Sequence, residues 1–358
     1  MKKIMFVIPT LSLGGAERVI SVLSTAISQS REVVVLKYYD TPNEYEIGEN
    51  VKVVNLSGGD EKEYRKIGYF QKLKRIRKII KAEKPHCVIP FLFHVSLSVC
   101  VATVFLKTDV FQSIRIDPAT SPASKWQRVL RDGMVANSKC TFVQNKAQKK
   151  YFKEKHHKKI HVVYNPVYDK IFSCENKGGG DDYIVTAMGR VETQKNFPML
   201  IDAFEKAFDN NASAKLLIYG QGSKFDEIDN YIKSKGLTQK VKMMGRTDDV
   251  ISAFEKTNVF VLSSDFEGMP NALIEAMAAG VPCISTDCPT GPSDLIENEV
   301  NGLLVPVNDT DAMCTALQKM ASGDIDTKKM GKAAQNTIKE LCSAQQIADR
   351  FIKICEDI

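Results

Sequence analysis

The sequence predicts an α/β protein of two domains, each a parallel sheet covered by helices. Three observations carry this. Short apolar runs recur and alternate with segments of helical periodicity, the pattern of a parallel sheet. The 358 residues exceed what one core usually accommodates. The charge is divided: residues 1–167 hold 29 Lys/Arg and 14 Asp/Glu, a balance of +15, and residues 168–358 hold 20 and 29, or −9, within a net +6. A basic half joined to an acidic half fits two domains, the first of which meets something anionic. The expected boundaries are 1–167, a linker over 168–182 marked by Gly178 to Gly180, 183–342, and a last helix over 343–358.

Composition narrows the class. An apolar content of 44% with 26% charged residues is that of a soluble globular protein. Nine cysteines show no CxxC pair, so a reduced, cytoplasmic protein is expected, with no disulfide framework and no zinc site. The opening MKKIMFVIPT reads as a first strand, because Pro9 and then Gly14-Gly15 cut its apolar run short of a signal peptide. The most apolar stretch, 87–106, is interrupted by Pro90, His94, Ser96, Ser98 and Thr103. It reads as a strand and a buried helix rather than a membrane span.

In the first domain a strand over 3–9 leads through a loop to a helix from Gly14-Gly15, with Ala16, Val19, Ile20 and Leu23 on one face. This is a Rossmann-like unit. Strands follow over 32–38 and 51–56. Residues 62–84 read as one basic amphipathic helix, with Ile67, Phe70, Leu73, Ile76 and Ile80 interleaved with Lys and Arg. Such a helix fits an anionic lipid surface, and equally a solvated helix packing its apolar face on the core. No nucleic-acid recognition motif is present, and no nucleic-acid partner is expected. Strands are expected over 85–92, 110–116 and 160–164, a helix-to-strand passage over 134–142, and a basic helix over 148–157.

In the second domain, strands over 183–188, 214–219, 241–245, 259–262 and 281–285 each run into a loop. The first loop carries Gly189, Arg190 and Lys195, two cations able to clamp a diphosphate, and Lys195 is expected to be exposed beside Arg190. The second carries Gly220 and Gly222, and the third Arg246 and Thr247. The fourth holds Glu267, Gly268, Met269 and Pro270, followed by a helix from Asn271 and Ala272 with Glu275 about two turns inside, ending at Gly280. A helix start at the carboxyl end of a strand favours phosphate, and the two carboxylates accept hydrogen bonds from sugar hydroxyls.

EGMPNALIE followed by AMAAGVPCIST, together with Gly-Arg and Lys195-Asn196 in the first loop, resembles the signature of the retaining family 4 glycosyltransferases of the GT-B fold. The resemblance spans nearly the whole chain, with its specific motifs mostly in the second half. It implies two Rossmann-like domains facing across a cleft, with the last helix returning to the first domain. It implies a donor site in the second domain for a nucleotide sugar, UDP-linked. There Arg190 and Lys195 would stabilise the departing diphosphate. Glu267 would hold donor-sugar hydroxyls and Glu275 the ribose. Gly268, Met269, Pro270, Asn271 and Ala272 would bind phosphate and sugar, and Gly220, Arg246 and Thr247 would lie beside the nucleotide. Gly15 would let backbone approach the diphosphate or the acceptor.

The family often carries a histidine just past the 110–116 strand. Here Arg115 stands in that place, within SIRIDP, as a sugar or acceptor contact or as a structural partner of Asp117. No Asp-x-Asp pair suited to a divalent ion is seen, so the expected chemistry is metal-independent and without a cofactor. No enzymatic nucleophile stands out, and the implied course is same-face substitution with retention, without the carboxylate pair of a retaining glycosidase. The expected acceptor is an oligosaccharide or a polyprenyl-diphosphate-linked saccharide at the inner face of a membrane, in surface polysaccharide or glycan assembly. Two rivals are a GT-B nucleotide-sugar epimerase and a non-catalytic nucleotide-sugar-binding subunit.

Overall fold

The structure, a computed structural model, describes residues 2–12 and 14–358; Met1 of the first-strand reading and Leu13 of the loop before Gly14 lie outside them. The chain divides into two compact units, Met1–Pro166 with Ser343–Ile358, and Val167–Cys342.

The first unit contains, among the described residues, a five-stranded parallel sheet. Its strands are β1 (Ile4–Ile8), β2 (Val33–Lys37), β3 (Val51–Asn55), β4 (Cys87–Pro90) and β5 (Asp109–Val110), in the order β3-β2-β1-β4-β5. Ile4 of β1 sits beside Val33 on one side and Cys87 on the other. All five residues of β1 are buried, as a central parallel strand with both faces covered requires. The helices are α1 (Gly15–Ile27), entered through Gly14, then α2 (Glu61–Lys66), α3 (Tyr69–Glu83) and α4 (Phe93–Thr103). Ile76 and Ile80 of α3 and Val95 and Val99 of α4 pack on Met5, Val7, Val34 and Leu36. A second sheet, β6 (Gln112–Ile114), β7 (Thr141–Val143) and β8 (Ile160–Val162), is accompanied by α5 (Lys125–Asn137) and α6 (Lys146–Tyr151).

Several first-unit expectations are corrected. The basic segment is two helices, because Ile67 leaves helical backbone and turns into the core while Gly68 starts α3 afresh. The 110–116 strand is split: β5 closes one sheet, Phe111 is buried, and β6 opens the other. The basic helix over 148–157 is α6 and then a 3-10 turn over Glu154–Lys159, since the backbone turns extended at Phe152.

The second unit is a six-stranded parallel sheet. Its strands are β9 (Tyr183–Met188), β10 (Ala214–Tyr219), β11 (Val241–Gly245), β12 (Val259–Leu262), β13 (Cys283–Thr286) and β14 (Leu303–Val305), in the order β11-β10-β9-β12-β13-β14. Its helices are α7 (Phe197–Ala207), α8 (Phe225–Ser234), α9 (Val250–Glu255), α10 (Asn271–Ala278), α11 (Thr310–Ala321) and α12 (Thr327–Cys342). The chain reverses its direction of growth between β9 and β12, and open α/β sheets bind ligands outside the carboxyl ends of strands at such a switch point. Residues 168–182, expected as a linker, are folded onto this unit. Asn176 donates to the carbonyls of Phe254 and Thr257 at 2.6 and 2.7 Å, and the amide of Gly179 donates to Asn258 at 2.9 Å.

The last helix, α13 (Ala344–Glu356), belongs to the first unit and packs beside α1. Phe351 stacks on Phe142 at 4.2 Å between ring centres, and Glu356 pairs with Arg31 at 2.7 Å.

Candidate active site

The loops after β9, β10, β11 and β12 meet at the carboxyl edge of the second unit's sheet. The amide of Gly189 donates to Tyr219 at 3.0 Å, that of Val191 to Gln221 at 2.9 Å, and that of Gly220 to Gly245 at 2.7 Å. A Cβ on Gly220 would lie 1.8 Å from the carbonyl oxygen of Gly189, at φ 153°, so only glycine lets these two loops touch. Glu192 ties the first loop to the second by accepting from the amide and hydroxyl of Ser223 at 2.9 and 2.7 Å. These two bonds, backbone first, hold its pKa below the usual carboxylate value.

The loops after β9 and β12 are joined side chain to side chain. Lys195 Nζ donates to Glu267 Oε1 at 2.6 Å, and the two side chains are only 13% and 9% exposed. Ser264 Oγ donates to the same oxygen at 2.7 Å. Around this pair, Ser263 donates to the Lys195 carbonyl at 2.7 Å, Gln194 to the Phe266 carbonyl at 2.6 Å, and Asn196 to Asp265 at 2.7 Å. Lys195 is therefore not the exposed loop cation that the sequence suggested. It is half of an enclosed ion pair, because Asn196 adopts a left-handed turn (φ 45°) to start α7 and draws the loop against 263–267. Arg190 is the exposed member; its side chain makes no hydrogen bond or close ion pair among the described residues, and its charge acts on nearby Glu192.

This arrangement leaves chemical capacity. An ammonium has three donors, and one goes to Glu267. Glu267 uses one oxygen on Lys195 and Ser264 and keeps the other without a partner among the described residues. The chain then passes Gly268, Met269 and Pro270 into α10, whose N-terminus carries the positive end of the helix dipole at the same edge. Asn271 and Ala272 form its first turn and are partly exposed. Glu275 is the fifth residue of α10, one turn in rather than two, and 4% exposed. Arg246 pairs with Asp248 at 2.7 Å, and Thr247 accepts from the amide of Asp249 at 3.1 Å, directly after β11.

Sequence reasoning missed three residues here. Ser264 holds Glu267. Thr290 donates to the Glu267 carbonyl. Gly291, at φ 100°, leaves room for the 268–270 loop, since a Cβ there would lie 2.9 Å from the Gly268 oxygen and the Pro270 ring. The Thr-Gly-Pro turn after β13 was the available signal.

In the first unit, Gly15 is the first residue of α1. Arg115 follows β6, with Nε on Ser113 Oγ at 2.8 Å, Nη1 on Asn165 Oδ1 at 3.2 Å and its cation 4.2 Å from the centre of the Phe91 ring. It does not pair with Asp117, which accepts from the amide of Ala119 at 2.9 Å and closes its own turn. Enclosure lowers the Arg115 pKa to about 9, which leaves it a cation at neutral pH.

Residues 171–337 match the family described as glycosyl transferases group 1. Over the whole chain, the sequence is 29% identical to 99% of a Campylobacter jejuni protein, the GalNAc-alpha-(1->4)-GalNAc-alpha-(1->3)-diNAcBac-PP-undecaprenol alpha-1,4-N-acetyl-D-galactosaminyltransferase. Over 46% of the chain it is 33% identical to 47% of the lipopolysaccharide 1,6-galactosyltransferase of Escherichia coli K12. Its fold is similar to that of sucrose-phosphate synthase from Thermosynechococcus elongatus, with a TM-score of 0.82 and 18% identity over 100% and 99% of the two chains. It is equally similar to Anabaena HepE in complex with UDP and glucose, with a TM-score of 0.82 and 15% identity over the full length of both.

Proposed function

We propose that this chain, a GT-B protein that belongs to the glycosyl transferases group 1 family through residues 171–337, moves a hexose or N-acetylhexosamine from a UDP sugar to a saccharide acceptor on a polyprenyl diphosphate. The observation that carries the reading is the Lys195–Glu267 pair at the switch point of the second unit's sheet, with the exposed Arg190 on the same loop as Lys195. The chain's identity across its full length to a transferase that acts on an undecaprenyl-diphosphate-linked saccharide supports the acceptor class and a place in glycan assembly. Neither rival finds support: no relative cited above is an epimerase or a non-catalytic subunit.

In this reading the diphosphate lies over the loop after β9. Arg190 grips it as a fork, and the two spare donors of Lys195 meet the charge that grows as the glycosidic bond breaks. The free oxygen of Glu267 takes a sugar hydroxyl, and Glu275 takes the ribose. Fixed cations replace a divalent ion, so the reaction is metal-independent and uses no cofactor. The leaving phosphate accepts the acceptor's proton on the face from which the diphosphate departs, and the anomeric configuration is retained.

The acceptor is met by the basic half of the chain at an anionic membrane surface, with the protein peripheral on the cytoplasmic side. No helix among the described residues is long and apolar enough to cross a membrane. Phe70 and Tyr69 stand 78% and 53% exposed at the start of α3, next to Lys72 and Lys74, while Ile76 and Ile80 face the core. Incubation with a panel of nucleotide sugars tests the proposal: slow release of UDP from one of them supports it, and inertness toward all of them sinks it.

A further inference from the structure

We propose that Arg115 is the receptor for a phosphate-type oxyanion within the first unit. Arg115 is a cation without a counter-charge. A guanidinium has five N–H donors, and two are used, on the neutral oxygens of Ser113 and Asn165. No carboxylate lies within ion-pair distance of it among the described residues. The Asn165 oxygen is already shared with Gln144 Nε2 at 2.9 Å, so it is not reserved for the arginine. The flat face of the cation is covered by Phe91, which fixes the plane of the fork.

Arg115 lines a pocket whose lining residues all lie in this unit. Leu92, Ile114, Pro122 and Met134 make its walls apolar, and Ser96 and Ser113 add hydroxyls. Apolar walls strengthen an ionic contact made inside them. The same pocket contains a contrast. Arg131 also lines it but is spent: its guanidinium pairs with Asp132 at 2.7 Å and donates to the carbonyls of Pro118 and Ser121. A buried charge is ordinarily paired. Arg131, which is buried, meets that rule within the chain, whereas Arg115, half-buried at the same pocket, has no counter-charge in it and is left for a partner from outside. A planar cation with donors left over on Nη1 and Nη2 suits phosphate oxygens.

The inference rests on the transferase reading only for which molecule carries the phosphate: the diphosphate of the acceptor or that of the donor. The test is calorimetry on the full chain with two probes, UDP alone and geranyl diphosphate in saturating UDP, on wild type, Arg115→Met and Arg115→Lys, with melting temperatures recorded. The expected result is that Arg115→Met binds one probe at least about tenfold more weakly and that Arg115→Lys recovers only part of the loss, because lysine restores the charge but not the fork. Loss confined to geranyl diphosphate assigns the acceptor's phosphate, and loss on UDP assigns the donor's. Unchanged binding of both probes overturns the proposal. So does a lysine variant as defective as the methionine one with a lowered melting temperature, which would make Arg115 a structural anchor. Failure of the transferase reading is separately visible, as a wild-type protein that binds no UDP.

Discussion

Replacing Lys195 with methionine should damage two separable properties. The ammonium sits 2.6 Å from Glu267 Oε1, and both side chains are enclosed. Removing it leaves a carboxylate in that enclosure with Ser264 as its remaining partner. Breaking a buried pair from one side costs about 3 kcal/mol of stability. The same substitution removes a charge from the departing diphosphate, which raises the barrier by about 2–4 kcal/mol and slows turnover about 30- to 1000-fold. The double variant Lys195→Met/Glu267→Gln separates the two. With no charge left unpaired, its stability should return to within about 1 kcal/mol of wild type. Its turnover should stay as low as that of the single variant, or lower. Urea unfolding gives the first quantity and UDP release under donor saturation the second. A single variant as stable as wild type would refute the argument from burial. A double variant with near-normal turnover would remove Lys195 from the mechanism.

Three further outcomes are expected. Gly220→Ala forces the loops after β9 and β10 apart, so nucleotide affinity should drop at least about tenfold by calorimetry, and normal affinity would show that this contact does not shape the site. Glu275→Gln should weaken free UDP and UDP sugar alike, whereas Glu267→Gln should spare UDP and reduce transfer, each by about tenfold or more; the reverse pattern in calorimetry would exchange their roles. Glutamine at Lys72, Lys74, Arg75 and Lys78 should weaken sedimentation with anionic vesicles by about 1 kcal/mol per charge at low salt and leave neutral vesicles unaffected, and unchanged anionic binding would count against a membrane-facing α3.

The central strands of the two larger sheets were legible because parallel strands covered on both faces need continuous apolar runs, and Val259 to Leu262 or Ile4 to Ile8 announce themselves that way, whereas β14 carried too short a run to be read as a strand. The loops that follow them were legible from glycine and charge together. What escaped was whatever depends on contacts distant in sequence. Lys195 and Glu267 are 72 positions apart, and nothing near either residue says that the other will enclose it. The split between β5 and β6 follows their pairing partners, Val88 for Val110 and Thr141 for Gln112, which the run of residues 110–116 does not show. Asn176 and Gly179 read as linker because their partners, at 254, 257 and 258, lie on another element. The break at Ile67–Gly68 was hidden by a helical period that continues through it, with Gly68 as its one local sign.

The central claim is that the carboxyl edge of the second unit's six-stranded sheet holds the donor's diphosphate. Arg190 tests it most directly, because its side chain is exposed and makes no hydrogen bond or close ion pair among the described residues, so Arg190→Gln should leave the fold intact. Calorimetric titration of UDP into wild type and Arg190→Gln, at equal melting temperature, is the measurement. The account predicts at least about tenfold weaker binding in the variant, the loss of a charge-assisted hydrogen bond to phosphate. Equal affinity in the two proteins would place the diphosphate elsewhere and contradict it.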